Sequence, residues 1–211
     1  MKLKTIPYSQ YEEKLPQSGN HILAQQNGNS LIVYQAFNPH IAQFAVDHQA
    51  FGGTHYKFSR MSWIKPNFLW MMYRCGWAQK EHQQRVLAIE LSKVHFEEIL
   101  AQAVHSNFKQ DIYTTKENWK IALKNSTVRL QWDPDHNPFG TKLDRKAIQL
   151  GLRSEVLWQF GKHWILSIED ITEFVHQQYQ NLKHNFEQLL VIEEEIYEVN
   201  NLDLKQTLML H

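Results

Sequence analysis

The segment Arg60–Trp77 reads RMSWIKPNFLWMMYRCGW and concentrates the side chains best suited to hold an anionic, ring-bearing ligand. On a helix, Trp70, Tyr73, Arg74 and Trp77 fall at i, i+3, i+4 and i+7 and share one face, while Phe68, Met71, Met72 and Cys75 share another, the natural core face. Aromatic rings offer stacking, and an arginine offers a planar fork for a phosphate or carboxylate. The same residues also suit a helix buried all round, with Arg74 stacked over Trp70. Both readings stay open at this point. Arg60, Ser62 and Lys65 precede Pro66, a favoured first helical residue, and the amide groups of a helix start attract anions. Two cations beside a positive helix end require something negative, either an internal carboxylate or a ligand phosphate.

A second concentration, QWDPDHNP from Gln131 to Pro138, reads as a tight turn after a strand. Asp133, Asp135 and His136 have the chemistry of divalent-metal ligands or of an acid–base pair. Alternatively, the carboxylates cap backbone amides or pair with Arg145 and Arg153. A metal would need further ligands, and no HxH or HxxxH spacing lies nearby, so no metal is assigned. His163, His176 and His184 read as ordinary helix or strand residues, and Cys75 as packing. The chain has no GxGxxG and no GxxxxGK[ST], which argues against Rossmann and P-loop nucleotide sites.

The elements that must position these residues follow from hydrophobic period. Strands are expected at Ser30–Phe37, Arg85–Leu91, Thr127–Trp132 and His163–Ile168. Asn38 and Pro39 start a short helix as N-cap and first residue. Ser62–Trp77 holds a helix starting at Pro66 and ending at Gly76. Val94–His105, Asn118–Leu123, Lys142–Leu150 and Glu155–Phe160 read as further helices. Asp170 to about Val199 reads as one long helix, whole or broken once, through Ile171, Phe174, Val175, Tyr179, Leu182, Phe186 and Leu189. Residues 1–19 read as an irregular arm. The expected architecture is a single α+β (mixed α/β) domain over 1–211, a small central sheet flanked by helices and closed by a C-terminal helical segment, 170–199.

Composition sets the frame. The chain has 211 residues, 43% hydrophobic, with one cysteine and zero net charge. It can bury a core without disulfides, and a reducing, cytoplasmic setting is expected. No signal peptide or membrane span is read. Lys57–Arg85 carries a net charge of +5 and Glu169–Asp203 one of −8. Overall neutrality argues against general DNA coating, while the basic segment permits a local anion site.

Four blocks, VYQAF (Val33–Phe37), RMSWIKPNFLWMMYRCGW (Arg60–Trp77), LQWDPDHNPFG (Leu130–Gly140) and RKAIQLGLR (Arg145–Arg153), resemble the signature blocks of an uncharacterised family, domain-of-unknown-function family 4291. The resemblance spans roughly Ser30 to Val175. It implies a compact intracellular protein and brings no settled activity. By analogy of fold alone, ADP-ribosyltransferases bind NAD with a strand-borne Arg or His, an aromatic over the nicotinamide and a Glu for the ribose. Gln35 or Arg60, Trp63 or Tyr73, and Glu90 or Glu169 are the residues here that would take those roles, although no H-Y-E or R-S-E triad can be laid on the chain.

Three functions compete. The first is an enzyme acting on a nucleotide or NAD-like substrate, with Arg60, Glu169 and His136 as catalytic candidates. Its binding candidates are Gln35, Ser62, Trp63, Lys65, Trp70, Tyr73, Arg74, Asp133 and Asp135. The second is a non-catalytic module for single-stranded nucleic acid, stacking bases on Trp63, Trp70 and Trp77. The third is a metal-dependent hydrolase built on Asp133, Asp135 and His136. Concentration of cations and aromatics in one segment favours the first, because a nucleic-acid groove more often spreads them over several elements.

Overall fold

Ser30–Phe37 is apolar at nearly every position, the pattern of a strand covered on both faces, and it becomes the spine of the fold. The computed structural model describes residues 1–211. The chain begins with β1 (Thr5–Pro7), α1 (Tyr8–Lys14), β2 (Gly19–Asn20), β3 (Leu23–Ala24), β4 (Gln26–Asn27) and β5 (Ser30–Phe37). It continues through α2 (Pro39–His48), β6 (Ser62–Ile64), α3 (Phe68–Cys75), β7 (Arg85–Ser92), α4 (Lys93–Ala101) and β8 (Ala103–His105). Then come α5 (Gln110–Tyr113), α6 (Lys116–Asn125), β9 (Val128–His136), β10 (Lys142–Leu152), α7 (Ser154–Gln159) and β11 (Ile165–Asp170). The last elements are α8 (Thr172–His184), β12 (Leu190–Ile192), β13 (Glu195–Ile196) and α9 (Leu202–Thr207). The fold is mixed α+β. No helix is long and apolar enough to cross a membrane.

Two larger sheets organise it. One runs β11-β7-β5-β4, antiparallel throughout. The other runs β2-β10-β9-β8, with β6 also paired to β10. Alternation along β5 and β7 sends Leu31, Val33, Leu87 and Ile89 into one core and Ile32, Tyr34, Val86 and Ala88 into another. The first core is shared with Val128, Leu130, Ile148 and Leu150 of the second sheet, so the two sheets close on one packed interior. Ile168 of β11 joins it as well, and all four expected strands therefore contribute. A short splice joins the sheets. Ser62–Ile64 pair with Leu150–Leu152 of β10, and the next residue, Lys65, bridges Tyr34 of β5.

Several expectations are corrected. Lys142–Leu150 is strand, not helix: its helix-forming Lys, Arg, Ala and Gln residues yield to antiparallel pairing with β9. The Gln131–His136 segment is not a turn, because β9 runs through both aspartates and the chain reverses at Asn137–Gly140. Residues 170–199 are not one helix. After α8 stops at His184, Leu190–Ile192 form a strand against β1. The 1–19 arm is therefore built into the fold, with Ile6, Tyr11 and Leu15 buried. Pro66 lies ahead of α3 rather than inside it. Asn67 is the N-cap, accepting the Trp70 amide at 2.6 Å, and Gly76, at φ 58°, ends the helix in the left-handed conformation as expected.

Candidate functional site

The sheets diverge beside the Lys65–Tyr34 bridge and leave a cleft of about 750 Å³, floored by β9 and β10 and walled by β5, β6 and α3. Gln35, Arg60, Ser62, Trp63 and Lys65 line it. So do Trp70, Tyr73, Arg74 and Asp133, joined by Met71, Gln83, Gln131 and Gln149. Nine of the twelve expected site residues therefore meet in one cavity.

Each is held by a local device. Gln35 donates through Nε2 to Ser62 Oγ at 2.7 Å and to the Trp63 carbonyl at 3.1 Å, which ties β5 to β6. Its Oε1 is buried without a partner. Trp63 sits opposite Gly151 of β10, where a Cβ would come within 2.9 Å of the indole and 2.6 Å of the Met61 sulfur. A glycine is required there for the ring to lie against the strand. Strand alternation turns Gln131, Asp133 and Gln149 to the cleft. The Gln131 amide donates to Asp133 Oδ1 at 2.8 Å and the Gln149 amide to Oδ2 at 2.7 Å. Asp133 is the sole carboxylate lining the cavity.

On α3, Trp70 and Tyr73 stack at 5.3 Å between centroids, and the His136 ring stacks on both, at 3.6 Å from Tyr73 and 5.2 Å from Trp70. Burial holds His136 below its ordinary pKa. It supports the aromatic wall and does not line the cavity. Trp70 is 4% exposed, and its Nε1–H has no acceptor. Trp77 leaves this face altogether: its indole donates to the Pro138 carbonyl at 3.2 Å and stacks on Tyr179.

Charge is unbalanced. Lys65 is 6% exposed, forms no ion pair, and has as its only side-chain hydrogen-bond partner the Trp63 carbonyl at 3.5 Å. Burial, reinforced by the nearby Arg74 guanidinium, pushes its amine down to about 7. Arg60 and Arg74 are exposed and likewise form no ion pair. Three cations thus face one carboxylate that is already accepting two amides.

The start of α3 is satisfied from within the protein. Glu194, buried, receives the Phe68 amide at 2.5 Å, Asn67 Nδ2 at 2.9 Å and the Tyr11 hydroxyl at 2.6 Å. Of the two expected partners for this helix end, the structure places an internal carboxyl group there. Arg60 and Lys65 are not its partners. Burial still pushes Glu194 up to about 8, against the pull of its donors. No sequence spacing links Glu194 to Phe68, and the contact exists only once β12 has formed.

Asp135 and Glu169 lie outside the cleft. Asp135 is buried against Arg145 Nε at 2.6 Å, and Arg145 also grips Glu12 of α1 with two bonds of 2.8 Å. This is the arginine pairing weighed for the second segment, with Arg145 as the partner. Arg153 instead donates to the Ser126 and Lys124 carbonyls. Glu169 sits 3.1 Å from the Met1 amino group. Glu90 accepts from Ser30 and Ser167, and it too is absent from the cleft. No group of three or more His, Cys, Asp and Glu side chains is arranged to hold a metal ion, so the Asp133–Asp135–His136 metal arrangement is not formed.

No curated protein matches the sequence. A family model described as Domain of unknown function (DUF4291) matches residues 21–197, which takes in the splice, α3, β9 and β10 and so every residue that lines the cleft. The chain belongs to the DUF4291 family.

Proposed function

We propose that the cleft binds a nucleotide-type ligand, with its ring against the aromatic wall and its phosphate among Lys65, Arg60 and Arg74. The observation that carries this reading is Lys65, a buried amine with no carboxylate partner in a cavity that holds two further unpaired cations. Burying an unpaired charge is strongly unfavourable, and its usual remedy is an ion pair inside the protein. Here the amine is instead pushed down to about 7, and an entering anion would supply the missing partner of its charged form. Gln35 and Trp70 line the cleft, and each carries a buried polar atom without a partner, Oε1 and Nε1. The volume suits a ligand as large as NAD.

Transfer chemistry of the ADP-ribosyl kind would rest on Asp133 for the ribose, because Glu169 and Glu90 are elsewhere. The two glutamine amides orient the Asp133 carboxyl group toward the cleft, where it could stabilise positive charge at a sugar carbon. Cytoplasmic location fits the single buried Cys75. The test is a thermal-shift and calorimetric titration with ADP, NAD and adenosine. ADP and NAD should raise the melting temperature, adenosine should do so far less, and Arg60→Ala or Arg74→Ala should weaken the shift. Equal shifts with adenosine and ADP would remove the phosphate from the reading.

A further inference from the structure

We propose that Lys65 is an imine-forming amine and that the cleft takes a phosphate-bearing carbonyl compound, such as an aldehyde or the reducing end of a sugar phosphate. The proposal rests on the reading of the cleft as an anion site and adds a reacting atom and a substrate class. Three geometric facts carry it. Lys65 lines the cavity although the residue is only 6% exposed. Its backbone is pinned on both sides, with Tyr34 N donating to the Lys65 carbonyl at 2.7 Å and Lys65 N to the Tyr34 carbonyl at 3.2 Å. No acid quenches it: the one acceptor near the amine is the Trp63 carbonyl at 3.5 Å.

A lysine attacks a carbonyl only as the neutral amine, and desolvation beside another cation is the way proteins provide one near neutral pH. The groups facing Lys65 bear on that state from each neighbouring element. From α3 come the Arg74 guanidinium, which disfavours a second positive charge, and Cys75, whose thiol is kept protonated by burial. From β9 comes Asp133, which favours the ammonium but is engaged by two glutamine amides. From β5 comes Tyr34, whose hydroxyl is buried and neutral. With its amine at about 7, Lys65 holds roughly a thousandfold more neutral form at pH 7 than a lysine at its ordinary value. Arg60 and Arg74 then hold the phosphate of the carbonyl compound while the amine reacts.

The step balances without a redox partner. The Nζ lone pair forms the N–C bond as the carbonyl π pair moves to oxygen, giving a carbinolamine. Expulsion of that oxygen as water, carrying both amine hydrogens, leaves the C=N bond. Solvent in the open cleft relays the protons.

Pyridoxal 5′-phosphate with borohydride reduction is the direct probe, read by peptide mass spectrometry on the full chain. Labelling should concentrate on Lys65 rather than on the exposed lysines. Its pH midpoint should lie near 7, and phosphate-free pyridoxal should label at least tenfold less. Lys65→Arg should abolish the specific adduct, with circular dichroism confirming that the variant folds. Arg74→Gln should move the midpoint upward. Uniform labelling of lysines, or a Lys65 midpoint at the ordinary lysine value, overturns the proposal. If ADP still shifts the melting temperature in that case, the imine reading alone has failed. If Lys65 labels specifically while ADP neither binds nor competes, the nucleotide reading has failed and the imine stands.

Discussion

The carboxylate of Glu194 accepts the backbone N–H of Phe68 at 2.5 Å, across 126 residues of sequence. That contact frees the cations of the splice from any duty at the start of α3. Arg60 and Lys65 are left to face a cavity, whereas the helix end is served by the protein's own Glu194 carboxyl group. The same contact makes α3, and with it the Trp70–Tyr73 wall, depend on β12.

Glu194 should therefore leave a signature in the pH dependence of stability. Its folded value is about 8 against 4.5 for the free side chain. Between those values the folded state binds more protons than the unfolded one, so stability falls as pH rises from 4.5 through 8. Glu194→Gln should flatten that fall and gain on the wild type by a few kcal/mol above about pH 8. Urea melts at pH 5, 7 and 9 measure this; parallel profiles for the two proteins would show Glu194 to be ionised throughout.

Arg60 is exposed and forms no ion pair. Arg60→Ala should change stability by no more than about 0.5 kcal/mol, and should weaken ADP about tenfold in calorimetry. A large loss of stability with no change in affinity would assign Arg60 to the architecture.

Arg145 is the opposite case. It is 1% exposed and shared between Asp135 and Glu12. Arg145→Ala strands two carboxylates and should destabilise by about 3–5 kcal/mol, detected by chemical denaturation. At temperatures where the variant remains folded, its affinity for ADP should stay close to that of the wild type.

These contrasts mark how far the sequence was readable. The shared face of Trp70, Tyr73 and Arg74 was legible, because residue types at helical spacing and the Gly76 stop are local signals. Arg60 and Lys65, by contrast, reach the same cavity from either side of β6, which was read as the start of a helix. Asp133 was legible as polar chemistry beside a strand end, but its neighbour Asp135 was not separable from it. Their residue types are the same, and only the position of Arg145 on β10 decides which is neutralised. β10 itself was hidden, since KLDRKAIQ has helical propensity and its strand state comes from pairing with β9. The fate of 170–199 was hidden for the same reason: β12 exists because β1 lies beside it.

Trp70 separates stacking from hydrogen bonding. Its ring lies against Tyr73 and His136, while its N–H has no acceptor. Trp70→Phe keeps most of the ring contact and removes a buried, unsatisfied donor. The ligand-free protein should lose little stability, since the smaller ring's cavity is offset in part by the lost desolvation penalty. Nucleotide affinity should drop several-fold if the N–H meets the ligand, and calorimetry with ADP reads the change.

Lys65→Met tests the unpaired charge itself. The lysine has a folded value near 7 and an ordinary one of 10.5. Between these the unfolded chain binds more protons, so stability rises as pH goes from 7 to 10.5, and the whole penalty is present below 7. Methionine fills similar space without a charge. The variant should be more stable than the wild type by a few kcal/mol at about pH 6, with the gap closing as pH approaches 10.5. The Glu194 slope runs the other way but is common to both proteins, so it cancels in the difference. A saturating phosphate-bearing ligand should close the gap at pH 6 as well, because an anion beside Lys65 raises its folded value and relieves the penalty in the wild type alone. Paired urea melts at pH 6, 7.5 and 9, with and without ADP, measure both effects. A pH-independent difference would mean that Lys65 is not desolvated, and a gap at pH 6 that ADP leaves open would place the phosphate elsewhere.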